Sequence, residues 1–292
     1  MTMDAATLKR LGKQVGAEVK ADNVGLLASA VAFRIFLSIF PSLIAVVGVF
    51  SLVTSPSDIT GLINEARGVL PSEAQGFLER TLTRMVAEGS GGGFAIAGVL
   101  GGLWAASSAA AVLIKALNAA YEVAESRGFV KQRLVALLLT GVLLLAIFGL
   151  LALLVVGRFL QAWLVPDSLQ GPVVDTVFLL GRVAGAVLLM MVLFAVVYRV
   201  GPNRGRAAPF EWVTPGAVLA VLAWLALSAL FALYTRAFGS YGATYGSLAG
   251  AVVMMLWLQL TMTTLLVGAE LNQVWRRHTR ARDGAGSRVE PD

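Results

Sequence analysis

The side chains that could carry out catalysis are few in this sequence, and they lie outside its apolar segments. His278 is the single histidine and there is no cysteine, so neither a histidine-based triad nor a histidine-rich or cysteine metal site can be assembled. No acidic residue falls near the middle of an apolar segment, which argues against a paired-carboxylate or two-metal site there. The sequence therefore predicts a protein that is not an enzyme, with no cofactor and no metal ion.

Three polar side chains do lie deep within apolar segments: Arg34, Arg182 and Gln259. At helical rise, Arg34 is about 15 Å and Arg182 about 13 Å from the ends of their segments, and Gln259 reaches a similar depth. An arginine at the centre of a bilayer costs about 2.5–3.5 kcal/mol, so each should face protein, a water-filled cavity or a ligand. These residues predict a ligand-binding cavity of positive potential that suits an anionic substrate. The alternative is that each arginine snorkels or bonds backbone carbonyls and polar neighbours.

The elements that position these residues are long apolar helices. Hydrophobic residues make up 58% of the 292, charged residues 14%, and the mean hydropathy is +0.80, which exceeds the apolar share of soluble domains. Six stretches are long enough to cross the hydrocarbon of a bilayer: Val24 to Val53, Phe94 to Leu117, Leu134 to Val156, Val173 to Val200, Val213 to Tyr234, and Leu248 to Gly268. The predicted fold is an all-α polytopic membrane protein with about six transmembrane helices.

The basic residues predict the orientation of this bundle, because cytoplasmic connections carry an excess of lysine and arginine. One side has far more of them: Lys9, Arg10, Lys13 and Lys20; Lys115, Arg127, Lys131 and Arg133; Arg199, Arg204 and Arg206; Arg276, Arg277, Arg280, Arg282 and Arg288. The other side has Arg67, Arg80, Arg84, Arg158 and Arg236. Both termini should face the cytoplasm.

The chain divides into three parts. Residues 1–23 form a charged amphipathic segment, residues 24–272 the six-helix transmembrane domain, and residues 273–292 a basic, partly disordered tail. The basic ends should lie on anionic lipid headgroups. Nucleic acid is not an expected partner, because the tail lacks the interleaved aromatic residues of a nucleic-acid-binding segment.

The longest connection, between spans one and two, is expected on the outer side. Pro71, Ser72 and Gln75 are typical of a break followed by a helix start, and apolar residues then recur at helical spacing, so residues 55–92 predict an amphipathic helical hairpin at the outer interface. The alternative is a mobile, exposed hairpin. The glycine-rich segment Phe238 to Ser247 is expected to dip into the same interface.

Glycine pairs spaced one turn apart occur in three spans. They are Gly98 and Gly102, Gly181 and Gly185, and Gly246 and Gly250. Such spacing is typical of helices that approach each other closely, so these glycines predict packing contacts.

Several strings resemble the YihY / virulence factor BrkB family of bacterial inner-membrane proteins. They are Ala32-Phe33 through Phe40-Pro41, Lys115 to Tyr121, Arg127-Gly128-Phe129, Pro202-Asn203-Arg204, Trp212 to Pro215, Phe238 to Tyr241, Tyr245 to Leu248, and Gly268-Ala269-Glu270-Leu271-Asn272. The resemblance extends over about residues 20–275. It implies a six-helix protein of the bacterial cytoplasmic membrane, in a family whose members have been mislabelled ribonuclease BN and are proposed to move lipids or other anionic molecules.

The preferred hypothesis is a transporter or lipid-handling protein for an anionic, amphipathic substrate bound near Arg34, Arg182 and Gln259. The alternative is a membrane scaffold or envelope-integrity protein that acts without transport, through the outer hairpin and the cytoplasmic ends. A ribonuclease is opposed by the missing catalytic groups.

Overall fold

A computed structural model describes residues 4–53, 91–165, 171–205, 211, 213–237 and 247–286. The described residues form seven helices and no strand. The helices are α1 (Ala5–Ala21), α2 (Val24–Val53), α3 (Gly91–Ala120), α4 (Phe129–Leu164), α5 (Pro172–Val200), α6 (Pro215–Ala237) and α7 (Ser247–Gly286). The described residues do not include positions 55–90 of the predicted outer hairpin. They also do not include positions 238–246 of the glycine-rich segment.

Helices α2 to α7 correspond to the six predicted spans, and each contains a stretch long and apolar enough to cross a membrane. Large apolar side chains remain exposed along them, among them Leu145 at 73%, Phe148 at 63%, Leu188 at 62% and Leu230 at 61%. Exposed apolar surface on this scale is unfavourable in water but is matched by lipid tails. The all-α polytopic membrane fold predicted from the sequence is confirmed.

Most helix ends follow local sequence signals. Helix α1 stops where Asn23 takes a positive φ of 51°, and α2 begins at the next residue. Helix α5 begins at Pro172, whose fixed φ suits a first helical position, and carries Arg199 in its last turn, where a cation is favoured by the helix dipole. Helix α7 continues well past the predicted end at Gly268 and reaches Gly286, because it contains no proline and no further glycine follows Gly268 until Gly284.

The helices divide into two compact units, and several helices contribute to both. Unit 1 consists of residues 1–24, 117–224 and 264–292, and unit 2 of residues 25–116 and 225–263. The described buried side chains of unit 2 include Ala28, Ala32 and Ile114. Those of unit 1 include Tyr121 and Tyr198, together with polar residues of the candidate site.

Glycines allow two close helix contacts within unit 1. Between α4 and α5, a Cβ at Gly149 would lie 3.3 Å from Leu189, and one at Gly185 would lie 3.1 Å from Leu153. Between α6 and α7, Gly216 and Gly268 face each other so closely that a Cβ on either would overlap the backbone carbonyl oxygen of the other. The expected packing role is found for Gly185, whereas Gly181 and Gly250 have no described atom within 4 Å of such a Cβ.

Candidate functional site

A polar network joins the loop after α3 to the loop after α5. The carboxylate of Glu125 accepts hydrogen bonds from the Arg127 guanidinium at 2.7 Å and from Asn118 Nδ2 at 2.8 Å. The Arg127 Nη2 atom also donates to the Gly201 carbonyl at 2.9 Å, and the Asn203 backbone N–H donates to Asn118 Oδ1 at 2.8 Å. The two loops are therefore held in one geometry by charged, partly buried bonds.

The electrostatics of this network follow from Arg127, whose side chain is only 7% exposed. Its hydrogen bonds to the Glu125 carboxylate hold the pKa of that group at about 2, against a usual 4.5, although partial burial acts in the opposite direction. The carboxylate therefore stays ionised under all physiological conditions.

Next to this network, buried aromatic and amide side chains connect four helices of unit 1. Asn272 Nδ2 donates to the Tyr121 hydroxyl at 3.2 Å, and the Gly216 N–H donates to Asn272 Oδ1 at 2.8 Å. Tyr198 donates to the Leu265 carbonyl at 2.7 Å, and its ring meets that of Tyr121 edge-on with centroids 6.4 Å apart. Each polar atom in this buried set has a partner, as a stable interior requires.

A basic pocket opens beside Tyr121 and Tyr198. Three arginines and one glutamate contribute to its wall, so its lining has an excess of positive charge; the lining residues are Tyr121, Ala195, Tyr198, Arg199, Arg204, Glu211, Thr214 and Arg276. The Arg204 guanidinium lies over the Tyr121 ring at 4.8 Å from its centroid, a cation–π contact. Arg276 is paired with Glu211 at 3.3 Å.

Arg204 is the pocket residue with an unused hydrogen-bond donor among the described residues. Its Nε atom is shielded from solvent and has no hydrogen-bond partner within the described part of the chain. Burial lowers the pKa of Arg204, and the nearby charge of Arg276 lowers it further; the guanidinium nevertheless remains charged. A buried donor without an acceptor is costly, and an anion in the pocket would supply the missing acceptor.

Tyr121 forms the floor beneath Arg204. Its burial raises the pKa of the phenol, and the hydrogen bond from Asn272 offsets part of that effect. The hydroxyl is thus protonated at neutral pH, and the ring presents its electron-rich face to the guanidinium.

The N-terminal helix α1 packs against the extended end of α7. Leu11 and Val15 are buried with Val274, and Arg277 forms an ion pair with Glu18 at 3.0 Å and a second one with Glu122. The amphipathic pattern of α1 is therefore explained by a protein contact, while contact of the basic ends with anionic lipid headgroups stays a prediction.

The three residues predicted to bind a ligand lie on different helices. Arg34 is exposed on α2, Arg182 is partly exposed on α5, and Gln259 is partly buried on α7. Arg182 Nε donates to the Phe178 carbonyl at 3.2 Å, which is a contact of the kind expected in the alternative interpretation. Arg34 and Gln259 belong to unit 2 and Arg182 to unit 1, so the shared cavity stays a prediction.

The basic pocket was not predicted as a site. From the sequence, Arg204 and Arg276 are interpreted as orienting charges, because both lie in connecting or juxtamembrane sequence. Arg276 also belongs to the basic tail that is expected to lie on anionic lipid headgroups. One sequence feature could have indicated the pocket: three strings with the family pattern contain polar residues next to apolar segments. These strings are Lys115 to Tyr121, Pro202 to Arg204 and Gly268 to Asn272. The structure brings residues of these three strings together.

These features define a polytopic α-helical membrane protein with a basic pocket at the ends of its helices. The model of the family Virulence factor BrkB matches residues 15–291, and the chain belongs to this family. The resemblance drawn from the sequence is thereby confirmed.

Relatives agree with this assignment. The chain is similar to the ribonuclease-like protein YfkH of Bacillus subtilis, with 30% identity over 88% of this chain and 91% of that protein. It is also similar to UPF0761 membrane proteins of Alteromonas mediterranea (42% identity over 32% of this chain and 30% of the relative) and Aggregatibacter aphrophilus (35% over 28% and 29%). No solved structure matches the chain significantly.

Proposed function

We propose that this membrane protein binds the anionic headgroup of an amphipathic molecule in the basic pocket and transports or otherwise handles that molecule, without catalysing a reaction. The observation that carries the proposal is the Arg204 guanidinium, which lies over Tyr121 and whose Nε atom has no hydrogen-bond partner among the described residues. Arg199 and Arg276 line the same pocket. Guanidinium groups are suited to phosphate and carboxylate because they donate several hydrogen bonds in one plane.

The pocket can receive only the charged end of a ligand. Its enclosed space is about 10 Å³, far below the roughly 300–1,000 Å³ of sites for complete drug-sized ligands, so most of the ligand would lie outside it. Exposed apolar side chains flank it: Val213 precedes Thr214, and Val192 lies two turns before Arg199 on the same face of α5. They would accommodate the apolar part of the ligand.

The location follows from the same charges. The pocket and the termini lie on the side rich in arginine and lysine, which we assign to the cytoplasmic face of a bacterial inner membrane. Within the spans, the polar side chains of Arg34, Arg182 and Gln259 are each proposed to contact the anionic group during its passage across the bilayer.

The decisive experiment measures lipid binding by the purified full chain in neutral detergent. Phosphatidylglycerol, but not phosphatidylcholine, should raise the thermal unfolding midpoint, since a ligand that binds only the native state stabilises it. Arg204→Gln should weaken binding of phosphatidylglycerol about tenfold or more, because a charge-assisted hydrogen bond contributes about 1.5–3 kcal/mol. Arg276→Gln serves as a second variant.

Arg280→Gln is the matched control, since Arg280 is an exposed arginine of the same helix one turn beyond Arg276. Equal losses of binding in Arg204→Gln and Arg280→Gln would mean that surface charge alone attracts the lipid, and the pocket would be refuted. Arg34→Gln and Arg182→Gln should reduce movement of anionic lipid between leaflets of proteoliposomes while binding at the pocket persists.

Two other outcomes would favour the competing functions. If deleting residues 55–92 abolishes the cellular function while lipid binding and movement persist, the protein acts as a scaffold. Metal-dependent cleavage of RNA by the pure protein would support a ribonuclease, although no group of three His, Asp or Glu residues in the described ranges is placed to hold a metal ion.

A further inference from the structure

Glu270 is a deeply buried carboxylate that the proposed function does not use. It lies on α7 and is only 2% exposed. Val274 and Arg277 follow it at spacings of four and three residues, which puts all three on one helix face. That face is covered by α1, because Val274 packs on Leu11 and Val15 and Arg277 is paired with Glu18.

Asp22, at the end of α1, places a second carboxylate beside Glu270. The Oε1 atom of Glu270 and the Oδ2 atom of Asp22 are both shielded from solvent, and neither has a hydrogen-bond partner among the residues that the structure describes. Two acceptors without a donor cannot bond each other while both are ionised. A proton between them would satisfy both at once.

The other charged groups around the pair do not neutralise it. Glu18 comes from α1 and acts on Glu270 as a further negative charge. Arg277, on the same face of α7, is already paired with Glu18 and with Glu122 from the loop after α3. The surroundings thus hold more carboxylates than cations, which makes a second ionised carboxylate at this place costly.

We propose that Asp22 and Glu270 form a proton-binding site in which one proton is shared between the two carboxylates and holds α1 against α7. The proton comes from water and returns to it, so no other reactant is needed. With the proton bound, the pair carries a single negative charge and a strong O–H···O hydrogen bond. Without it, two negative charges repel each other in a buried contact, and α1 is released.

The contact between α1 and α7 is stable while the shared proton is bound and is lost when a rise in pH removes that proton. Since Asn23 leads directly from Asp22 into α2, release of α1 would act on the start of the first transmembrane span. Neither Asp22 nor Glu270 lines the basic pocket, so this site can be tested independently of lipid binding.

Infrared difference spectroscopy of the full chain in detergent tests the proton itself. Acid-minus-alkaline spectra should show the carbonyl stretch of a protonated carboxyl group, and the band should be lost in both Glu270→Gln and Asp22→Asn. Asp175→Asn, which changes an exposed carboxylate of α5, should retain it. If either pair variant fails to fold, selective carbon-13 labelling of aspartate and glutamate carboxyl groups assigns the wild-type band. Absence of a band sensitive to the pair would overturn the proposal.

Spin-label distances test the consequence for α1, and the absence of cysteine from the chain makes labelling specific. With labels at Gln14→Cys and Arg280→Cys, the distance distribution should be narrow at low pH and should broaden or lengthen as the pH rises. Glu270→Gln should remain narrow throughout, because a neutral amide removes the repulsion. If sodium or potassium chloride, but not choline chloride, restores the narrow distribution at high pH, the pair binds a monovalent cation instead of a proton and the proposal is wrong.

Discussion

The contact between α6 and α7 offers the sharpest test of the structure, through Gly268→Ala. A Cβ at Gly268 would lie 2.8 Å from the Cβ of Ala220 and closer still to the Tyr198 hydroxyl and the Gly216 carbonyl oxygen. Two of these three atoms belong to helix backbone or to a Cβ, which cannot move without shifting a helix. The substitution therefore overfills a closely packed contact.

Two opposing effects set the size of the change. Overpacking of this kind costs about 1–3 kcal/mol and sometimes more, whereas replacing glycine by alanine inside a helix gains about 1 kcal/mol. Since three atoms would lie within 3 Å of the new carbon, we expect the upper end of the cost and a net loss of stability of about 1–2 kcal/mol. Displacement of Tyr198 should also disturb Tyr121 and so weaken binding of phosphatidylglycerol.

Gly181→Ala provides the matched control, because a Cβ at Gly181 would meet no described atom within 4 Å. Its thermal unfolding midpoint in detergent should rise slightly or stay unchanged, while that of Gly268→Ala should fall. Equal midpoints for the two variants, or a higher one for Gly268→Ala, would refute the close approach of α6 and α7 and the support that it gives to the pocket.

Three further outcomes follow from the site. The ionised Glu125 carboxylate contributes stability that is fully present above its unfolded pKa near 4.5 and is lost as the pH falls toward its folded pKa of about 2. The thermal unfolding midpoint should therefore fall between pH 7 and 3. Glu125→Gln should make the midpoint less dependent on pH. Tyr198→Phe should cost about 1 kcal/mol, because it removes the hydroxyl that donates to the Leu265 carbonyl. Chemical unfolding in mixed micelles should detect this loss, and an unaltered midpoint would exclude the bond. Tyr121→Leu removes the ring beneath Arg204 and should weaken phosphatidylglycerol binding several-fold in the assay used for Arg204→Gln, whereas unchanged affinity would argue against the cation–π contact.

The sequence predicted the positions of the helices better than it predicted the contacts between them. Except at the end of the sixth span, where α7 continues to Gly286, the predicted ends lie within eight residues of the helix ends. Uninterrupted apolar sequence of about 20 residues has few alternatives in a membrane. Packing glycines were harder to predict. Gly181 and Gly250 have the expected spacing, yet no described atom lies within 4 Å of a Cβ placed on either. Gly216 and Gly268 lie on different helices and form the closest approach among the described glycines of unit 1.

The basic pocket in unit 1 was not predicted from the sequence, and the site predicted at Arg34, Arg182 and Gln259 stays a prediction. A positive site for an anion was expected from the deep arginines Arg34 and Arg182, and the pocket found in unit 1 is also built on arginine, but on Arg204 and Arg276. In the sequence these two looked like ordinary basic residues near the membrane surface, a class that mostly serves orientation. Nothing local to either residue distinguishes it from Arg280, which is exposed.

The sequence by itself determined that this is a polytopic all-α membrane protein, because hydropathy and helical length act residue by residue along the chain. It also determined the family, through strings that retain their order. Only the tertiary structure decided which polar residues meet: Tyr121, Asn203 and Asn272 come from three separate parts of the chain and converge beside Arg204. The physical reason is that burial and hydrogen-bond satisfaction depend on contacts between distant segments, which no local pattern specifies.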